Sequence, residues 1–138
     1  MQIETGSPDL TIKVKRCAAS GKTVLIDMLI TNNSEGDVEA MMHWTNCVSD
    51  VYYDSEGNVY GDGFEEVSQV KIGNKPFAAG RVDVKLVSGV PVKVQVRVTG
   101  VSSEAEAFAK IDFPFWADDL GLDCHHKISL RNVPITRQ

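Results

Sequence analysis

Residues able to bind a metal ion are concentrated in residues 118–126. Asp123, Cys124 and His126 bring a carboxylate, a thiol and an imidazole close together in the sequence. These are ligand types that zinc prefers in proteins. His125 and His126 are adjacent, however, and adjacent residues of a strand point to opposite faces, so at most one of them can join the other two. A metal-binding protein that uses this loop is therefore an alternative function, and an ordinary loop leading into a strand is the interpretation that we favour.

A second group of polar residues lies in the middle of the chain, at Asp54, Glu56 and Asn58. Their carboxylate and amide oxygens are calcium ligand types, but Gly57 comes too early for the spacing of an EF-hand loop. Gly57 instead suits the positive φ of a tight hairpin turn. We predict a hairpin whose exposed tip contacts a binding partner.

No set of residues in the sequence forms a convincing catalytic group. Cys47 and His43 are the residue types of a nucleophile and its base, but four residues of a strand separate them by about 13 Å. Neither Cys47 nor Cys124 lies at the start of a predicted helix, where the pKa of a thiol would be lowered. We therefore predict that the protein is not an enzyme and that it uses no cofactor.

The composition limits the partners that the protein can have. The net charge of −5 over 138 residues argues against binding to nucleic acid, which requires a basic surface. No stretch approaches the roughly 20 apolar residues of a membrane-spanning helix, so we predict no transmembrane segment. A length of 138 residues corresponds to one domain, large enough to fold without disulfides.

The elements that must position these residues are strands. Apolar and polar residues alternate over residues 22–31, 82–86 and 92–98, and a period of two is typical of half-buried strands. Seven to nine such segments, separated by Gly and Asn turns, predict an all-β fold, an immunoglobulin-like antiparallel β-sandwich. The predicted core residues share the apolar faces of these strands: Val24, Ile26, Met28, Trp44, Val84, Val94, Val96 and Ile111.

Two further expectations concern the ends of strands and of the chain. We predict a flexible leader over residues 1–8 and a single β-sandwich domain over residues 9–138. The first and third strands, the latter over residues 38–47, run in the same direction in an up-down-up order. Cys17 and Cys47 then lie near the same edge, so we predict that they can approach each other, although the pairing of three cysteines is not fixed by their spacing.

Four segments together give the chain a family resemblance: residues 29–34, residues 53–60, residues 89–93 with Gly100 and Val101 after them, and residues 130–135. In this order they resemble a broad, uncharacterised family of immunoglobulin-like β-sandwich domains carried by bacterial lipoproteins and secreted proteins. The resemblance implies an extracytoplasmic location: the periplasm, the cell surface or the medium. It also implies attachment through a lipid anchor where an N-terminal signal has been removed.

The sequence thus predicts a non-catalytic extracytoplasmic binding or accessory module. Its partner would be a protein or a polysaccharide, contacted through loops at the ends of a rigid sandwich. The predicted contact residues are the hairpin tip at Asp54, Glu56 and Asn58, and the late loop at Trp116 and Asp119. A structural spacer domain of a larger envelope protein is the remaining alternative.

Overall fold

The alternating segments form long strands in a computed structural model that describes residues 1–137. The strands are β1 (Gln2–Glu4), β2 (Leu10–Ser20), β3 (Thr23–Asn32), β4 (Val38–Met42), β5 (Val51–Asp54), β6 (Val59–Tyr60), β7 (Ser68–Ile72), β8 (Val82–Leu86), β9 (Val92–Val98), β10 (Ala107–Trp116), β11 (Lys127–Pro134) and β12 (Thr136–Arg137). A 3-10 turn lies at Asp118–Leu120. In this part of the chain, no helix is long and apolar enough to cross a membrane.

The strands form two sheets. The first sheet has the order β12-β2-β3-β9-β7, and the second has the order β1-β11-β10-β4-β8, with β5 on β10 and β6 on β5. All neighbours are antiparallel except β12, which pairs with β2 in parallel. The order β2-β3-β9-β7 against β11-β10-β4 corresponds to strands A-B-E-D against G-F-C of an immunoglobulin domain. The predicted all-β, immunoglobulin-like sandwich is confirmed.

The core lies between the two sheets and contains most of the predicted residues. Their side chains are at most 3% exposed: Val24, Ile26, Met28, Val94, Val96 and Ile111. Val84 is half-buried and packs against the edge of this core. The period of two succeeds on β3 and β9 because each is a continuous strand whose alternate side chains face the other sheet.

The third strand was predicted over residues 38–47, and this prediction is wrong for residues 43–47. The strand ends at Met42, and His43 has a φ of 78°. This left-handed conformation is uncommon for a residue other than glycine. The chain leaves the sheet over residues 43–50 and returns as β5, which pairs with the same neighbour, β10. Trp44 therefore lies in a loop at the end of the sandwich, half-buried, and not between the sheets.

Residues 2–4, predicted to be part of a flexible leader, instead form an edge strand. Ile3 pairs with Leu130 of β11. The next residues are also tied to the domain, since Nε2 of His126 donates to the carbonyl oxygen of Thr5 over 2.7 Å. The sandwich therefore includes the N-terminal residues as the outermost strand of the second sheet.

Candidate functional site

Loops from three parts of the chain meet where β10 ends. These are residues 43–50, 61–67 and 117–126, and we call this surface the disulfide end. A disulfide joins Cys47 to Cys124, with their Cα atoms 5.6 Å apart. The Thr45 hydroxyl also donates to the carbonyl oxygen of Cys124 over 2.6 Å. The first and third loops are thus held together by a covalent bond and by a hydrogen bond.

The predicted approach of Cys17 and Cys47 is wrong. Cys17 is a free thiol, buried on β2 in the first sheet, whereas Cys47 is bonded to Cys124. The strand before Cys47 belongs to the second sheet. Because Cys17 and the strand before Cys47 belong to different sheets, the predicted up-down-up order of the strands does not bring the two cysteines to one edge.

The late loop is a compact turn with an exposed tip. Ala117 and Leu122 pair across it, and Gly121 ends the 3-10 turn with a φ of 73°. Trp116 is half-buried, and its Nε1 donates to Oδ1 of Asp118 over 2.8 Å. Asp119 is exposed. Trp116 and Asp119 thus lie at the disulfide end, and their role in binding stays a prediction.

The predicted metal ligands are not brought together as a set. His126 turns toward the N-terminal segment and bonds to Thr5. The Asp123 carboxylate accepts a hydrogen bond from the backbone N–H of His125 over 2.9 Å. The ligand atoms that do meet belong to Cys47, Cys124 and His125, and they lie within 4.8 Å of one another. In the disulfide, the two sulfur atoms are bonded to each other and are not thiolates.

A buried polar network supports the disulfide end from below. Its centre is the Asp50 carboxylate, which accepts hydrogen bonds from Tyr52 over 2.5 Å, from Trp44 over 3.0 Å and from the Ser68 hydroxyl. Nε2 of His43 lies 2.6 Å from the Ser68 hydroxyl oxygen and 3.2 Å from Oδ2 of Asp50. Among the described residues, no buried side-chain nitrogen or oxygen of this network lacks a hydrogen-bond partner, which agrees with the cost of burying an unpaired polar group.

The electrostatics of this network keep Asp50 ionised. Burial raises the pKa of Asp50, but the hydrogen bond and the charge of His43, with hydrogen bonds from Ser68 and Tyr52, outweigh it and lower the pKa overall. Burial and the Asp50 charge raise the pKa of Tyr52 well above its ordinary value. Tyr52 therefore remains a neutral donor to an ionised carboxylate.

Ser68, His43 and Asp50 are the residue types of a catalytic triad, but their geometry differs from one. In a triad, the serine and the carboxylate contact opposite nitrogens of the imidazole. Here both contact Nε2 of His43, while Nδ1 bonds to the Gly80 carbonyl over 2.7 Å. The three side chains are also almost fully buried. The network is thus arranged to hold loops in place.

The predicted hairpin site lies at the other end of the sandwich. Asp54 is paired with Phe108 at the start of β10, whereas Met42 is paired with Phe115 near its end. Seven residues of strand correspond to about 23 Å. The structure therefore separates the hairpin tip from Trp116 and Asp119, and one small ligand would not contact both.

Asp54 itself organises the hairpin. It is buried, and its carboxylate accepts hydrogen bonds from the backbone N–H groups of Glu56 and Asn58, the Asn58 amide and the Tyr60 hydroxyl. Burial raises its pKa, but these hydrogen bonds, led by that of Tyr60, lower it overall. Glu56 and Asn58 are exposed at the tip. A binding role for this tip stays a prediction. Because Asp54 is buried, Glu56 and Asn58 are the predicted residues that a partner could contact.

Sequence reasoning missed Phe64, the most exposed aromatic residue of the disulfide end. Its side chain is 46% exposed, and its φ is 64°. The edge of its ring packs against Trp44, with ring centroids 5.7 Å apart. A lone aromatic residue directly after Gly61-Asp62-Gly63 was the available signal, because such loops run over the surface.

Comparisons with known proteins add no family. No family model and no curated protein matches the chain. Among solved structures, a PapD-like domain of human CEP192 is 15% identical, with a TM-score of 0.45, and the match covers 96% of this chain and 85% of that one. The N-terminal domain of PorA is 14% identical, with a TM-score of 0.40, and the match covers 93% and 95%.

A third solved structure, described as AvmM, which catalyses macrocyclization in alchivemycin A biosynthesis, is 9% identical, with a TM-score of 0.39. That match covers 77% of this chain and 70% of the other. Similarities at this level carry no functional argument. The strand order alone therefore assigns the chain to the immunoglobulin-like β-sandwich folds.

Proposed function

We propose that this protein is a non-catalytic accessory domain that works outside the cytoplasm and binds a protein or polysaccharide partner through its disulfide end. The observation that carries the proposal is Phe64, a large apolar side chain that stays 46% exposed on a fixed backbone. The family of immunoglobulin-like domains on bacterial lipoproteins and secreted proteins, which the sequence resembles, agrees with this function.

The backbone at Phe64 supports a role in recognition. A φ of 64° is unfavourable for a phenylalanine, and such a conformation persists only where its surroundings hold it. Here the Phe64 N–H donates to the Ser49 hydroxyl over 3.1 Å, and Trp44 packs against the ring. An aromatic anchor that is already ordered loses little conformational entropy on binding.

The neighbouring surface has the mixture of groups that partner binding uses. A shallow groove of about 170 Å³ is lined by Phe64, Val48, Asp62 and Lys127 among others. It combines apolar side chains with one charge of each sign. Because the disulfide and the buried network fix its walls, this groove is preorganised, which favours affinity.

The disulfide supports a location outside the cytoplasm. Disulfides persist in oxidising compartments such as the periplasm and the medium, and they are rare where glutathione keeps thiols reduced. Cys47 and Cys124 lie 77 residues apart in the sequence, so their bond closes a long loop, as in a structural bridge.

A binding experiment with matched variants tests the proposal. The purified domain is immobilised and exposed to an envelope extract of the source organism and, separately, to a panel of polysaccharides. We expect one partner to be retained, identified and then rebound in purified form. Phe64→Ala and Trp116→Ala should each weaken this binding about tenfold or more.

The comparison variant is Glu56→Ala with Asn58→Ala at the opposite end, which tests the separate prediction that the hairpin tip binds. If the disulfide end is the site, this variant binds as the unchanged protein does. All variants are compared by melting temperature, so that loss of binding is separated from loss of folding. Binding that depends on the hairpin tip and not on Phe64 or Trp116 would contradict the proposed site and place the binding surface at the hairpin. No binding in either panel would overturn the proposal in favour of a spacer domain.

A further inference from the structure

His125 lies directly beside the disulfide. Its Nδ1 atom is 3.5 Å from Sγ of Cys124, and the ligand atoms of His125, Cys124 and Cys47 all lie within 4.8 Å of one another. We propose that reduction of this disulfide converts the three residues into a binding site for a thiolate-preferring divalent metal of the zinc type. The inference does not rest on the proposed binding function.

The observed spacing suits a shared metal ion. With Zn–S bonds of about 2.3 Å and Zn–N bonds of about 2.0 Å, a sulfur and a nitrogen on one tetrahedral zinc lie about 3.5 Å apart. This is the distance already found between Cys124 and His125. Two sulfurs on the same ion would lie about 3.8 Å apart, so Cys47 and Cys124 need to separate only by side-chain rotation.

The loops that carry the ligands are held without the disulfide. Thr45 bonds to the Cys124 carbonyl over 2.6 Å, and its hydroxyl oxygen accepts from the N–H of Cys47 over 3.2 Å. The Asp123 carboxylate accepts from the N–H of His125. Reduction leaves these contacts intact, so the three ligands stay close together.

A dithiol can reduce the disulfide between Cys47 and Cys124. The reductant gives two electrons and two protons to the S–S bond and becomes a disulfide itself, while Cys47 and Cys124 become thiols. A divalent metal ion then displaces two protons and binds the two thiolates and neutral Nδ1 of His125. Because His125 is exposed, the fourth position faces solvent. A disulfide oxidant reverses the step: it accepts two electrons and becomes a dithiol, the bond between Cys47 and Cys124 forms again, and the ion is released.

Metal titrations of the oxidised and reduced protein test the inference. The full chain is reduced with a phosphine, desalted without oxygen and titrated with Zn²⁺ or Co²⁺ alone. We expect one ion per reduced chain, a thiolate-to-cobalt absorption band, and binding at least about a hundredfold weaker in the oxidised protein. Cys47→Ser should remove the absorption band.

The matched comparison is between the two adjacent histidines. His125→Ala should weaken binding to the reduced chain about tenfold or more, whereas His126→Ala and Cys17→Ala should not. Circular dichroism of each reduced variant checks that the sandwich remains folded. Equal binding by oxidised protein, no effect of His125→Ala, or unfolding of the reduced chain would each overturn the inference.

Discussion

Nε2 of His43 lies 3.2 Å from Oδ2 of Asp50, and neither side chain is exposed to solvent. His43 directly follows β4, where the chain leaves the second sheet, and Asp50 directly precedes β5, where the chain returns to it. Ser68, which contacts both residues, belongs to β7 of the first sheet. The pair thus links the two sheets beneath the disulfide end, and the loop over residues 43–50 depends on it.

Asp50→Asn should destabilise the domain by about 3–5 kcal/mol at pH 7, because removing one partner leaves the others of a buried charged network unpaired. Urea unfolding measures the change. Glu56→Gln is the control, since this carboxylate is exposed, and it should cost less than about 0.5 kcal/mol. An Asp50→Asn protein as stable as the original would show that the network contributes nothing.

The same variant should show how this stability depends on pH. The pKa of Asp50 is lower in the folded than in the unfolded chain, so the carboxylate contributes its stability above the ordinary pKa. That contribution is lost as the pH falls through the folded-state pKa. Below about pH 4, the difference in unfolding free energy between Asp50→Asn and the original protein should shrink. A constant difference down to acid pH would contradict the assignment.

Val94→Ala should lower the free energy of unfolding by about 1–3 kcal/mol, because Val94 is completely buried and its truncation leaves a cavity. Val84→Ala is the matched control: the same methyl groups are removed from a half-buried position on β8. Its cost should be clearly smaller, since solvent can fill the space. Equal losses in urea unfolding would show that Val84 belongs to the core.

The alternation of residues revealed the fold and most of the core because β3 and β9 are uninterrupted strands. On such strands, a period of two follows directly from the geometry, as Val24 and Val94 show. It failed at Trp44, because the strand ends at Met42 and His43 takes a left-handed conformation. Position 43 is a histidine. A glycine there would have indicated that the strand ends.

The candidate site was predictable only in part. Its late loop was recognised from local residue types, but the partner of Cys124 was not, since Cys47 lies 77 residues away. Such a pairing depends on how loops meet in three dimensions. Phe64 and the Asp50 network were missed for a similar reason. Phe64 packs against Trp44 and bonds to Ser49 of another loop, and Asp50 accepts a hydrogen bond from Ser68 of the other sheet.

Asp54→Ala should destabilise the hairpin by about 1–3 kcal/mol, since the Asn58 N–H and the half-buried Tyr60 hydroxyl lose the carboxylate that they share. Glu56→Ala, two residues further along the turn and exposed, should change stability by less than about 0.5 kcal/mol. Amide hydrogen exchange at Asn58 should accelerate only in the Asp54 variant. Unchanged protection of that amide would show that the carboxylate does not hold the turn.

Replacing both Cys47 and Cys124 by alanine should lower the unfolding free energy by about 2–5 kcal/mol, because the unfolded chain gains the freedom of a long loop. The domain should remain folded, since its core does not involve this bond. Melting curves with and without a reductant provide the comparison: the reductant should destabilise the original protein and leave the double variant unchanged. An effect of the reductant on both would point to another cause.

Cys17 should be unreactive in the folded protein. Burial raises the pKa of its thiol to about 12, so almost no thiolate, the reactive form, is present at pH 8. A thiol reagent such as iodoacetamide should therefore modify the oxidised, folded protein very slowly, and modify one cysteine per chain once urea unfolds it. Mass spectrometry identifies the site, and Cys17→Ala should abolish the labelling. Fast labelling of Cys17 without denaturant would mean that β2 opens readily, and labelling at Cys47 or Cys124 would mean that their disulfide had not formed.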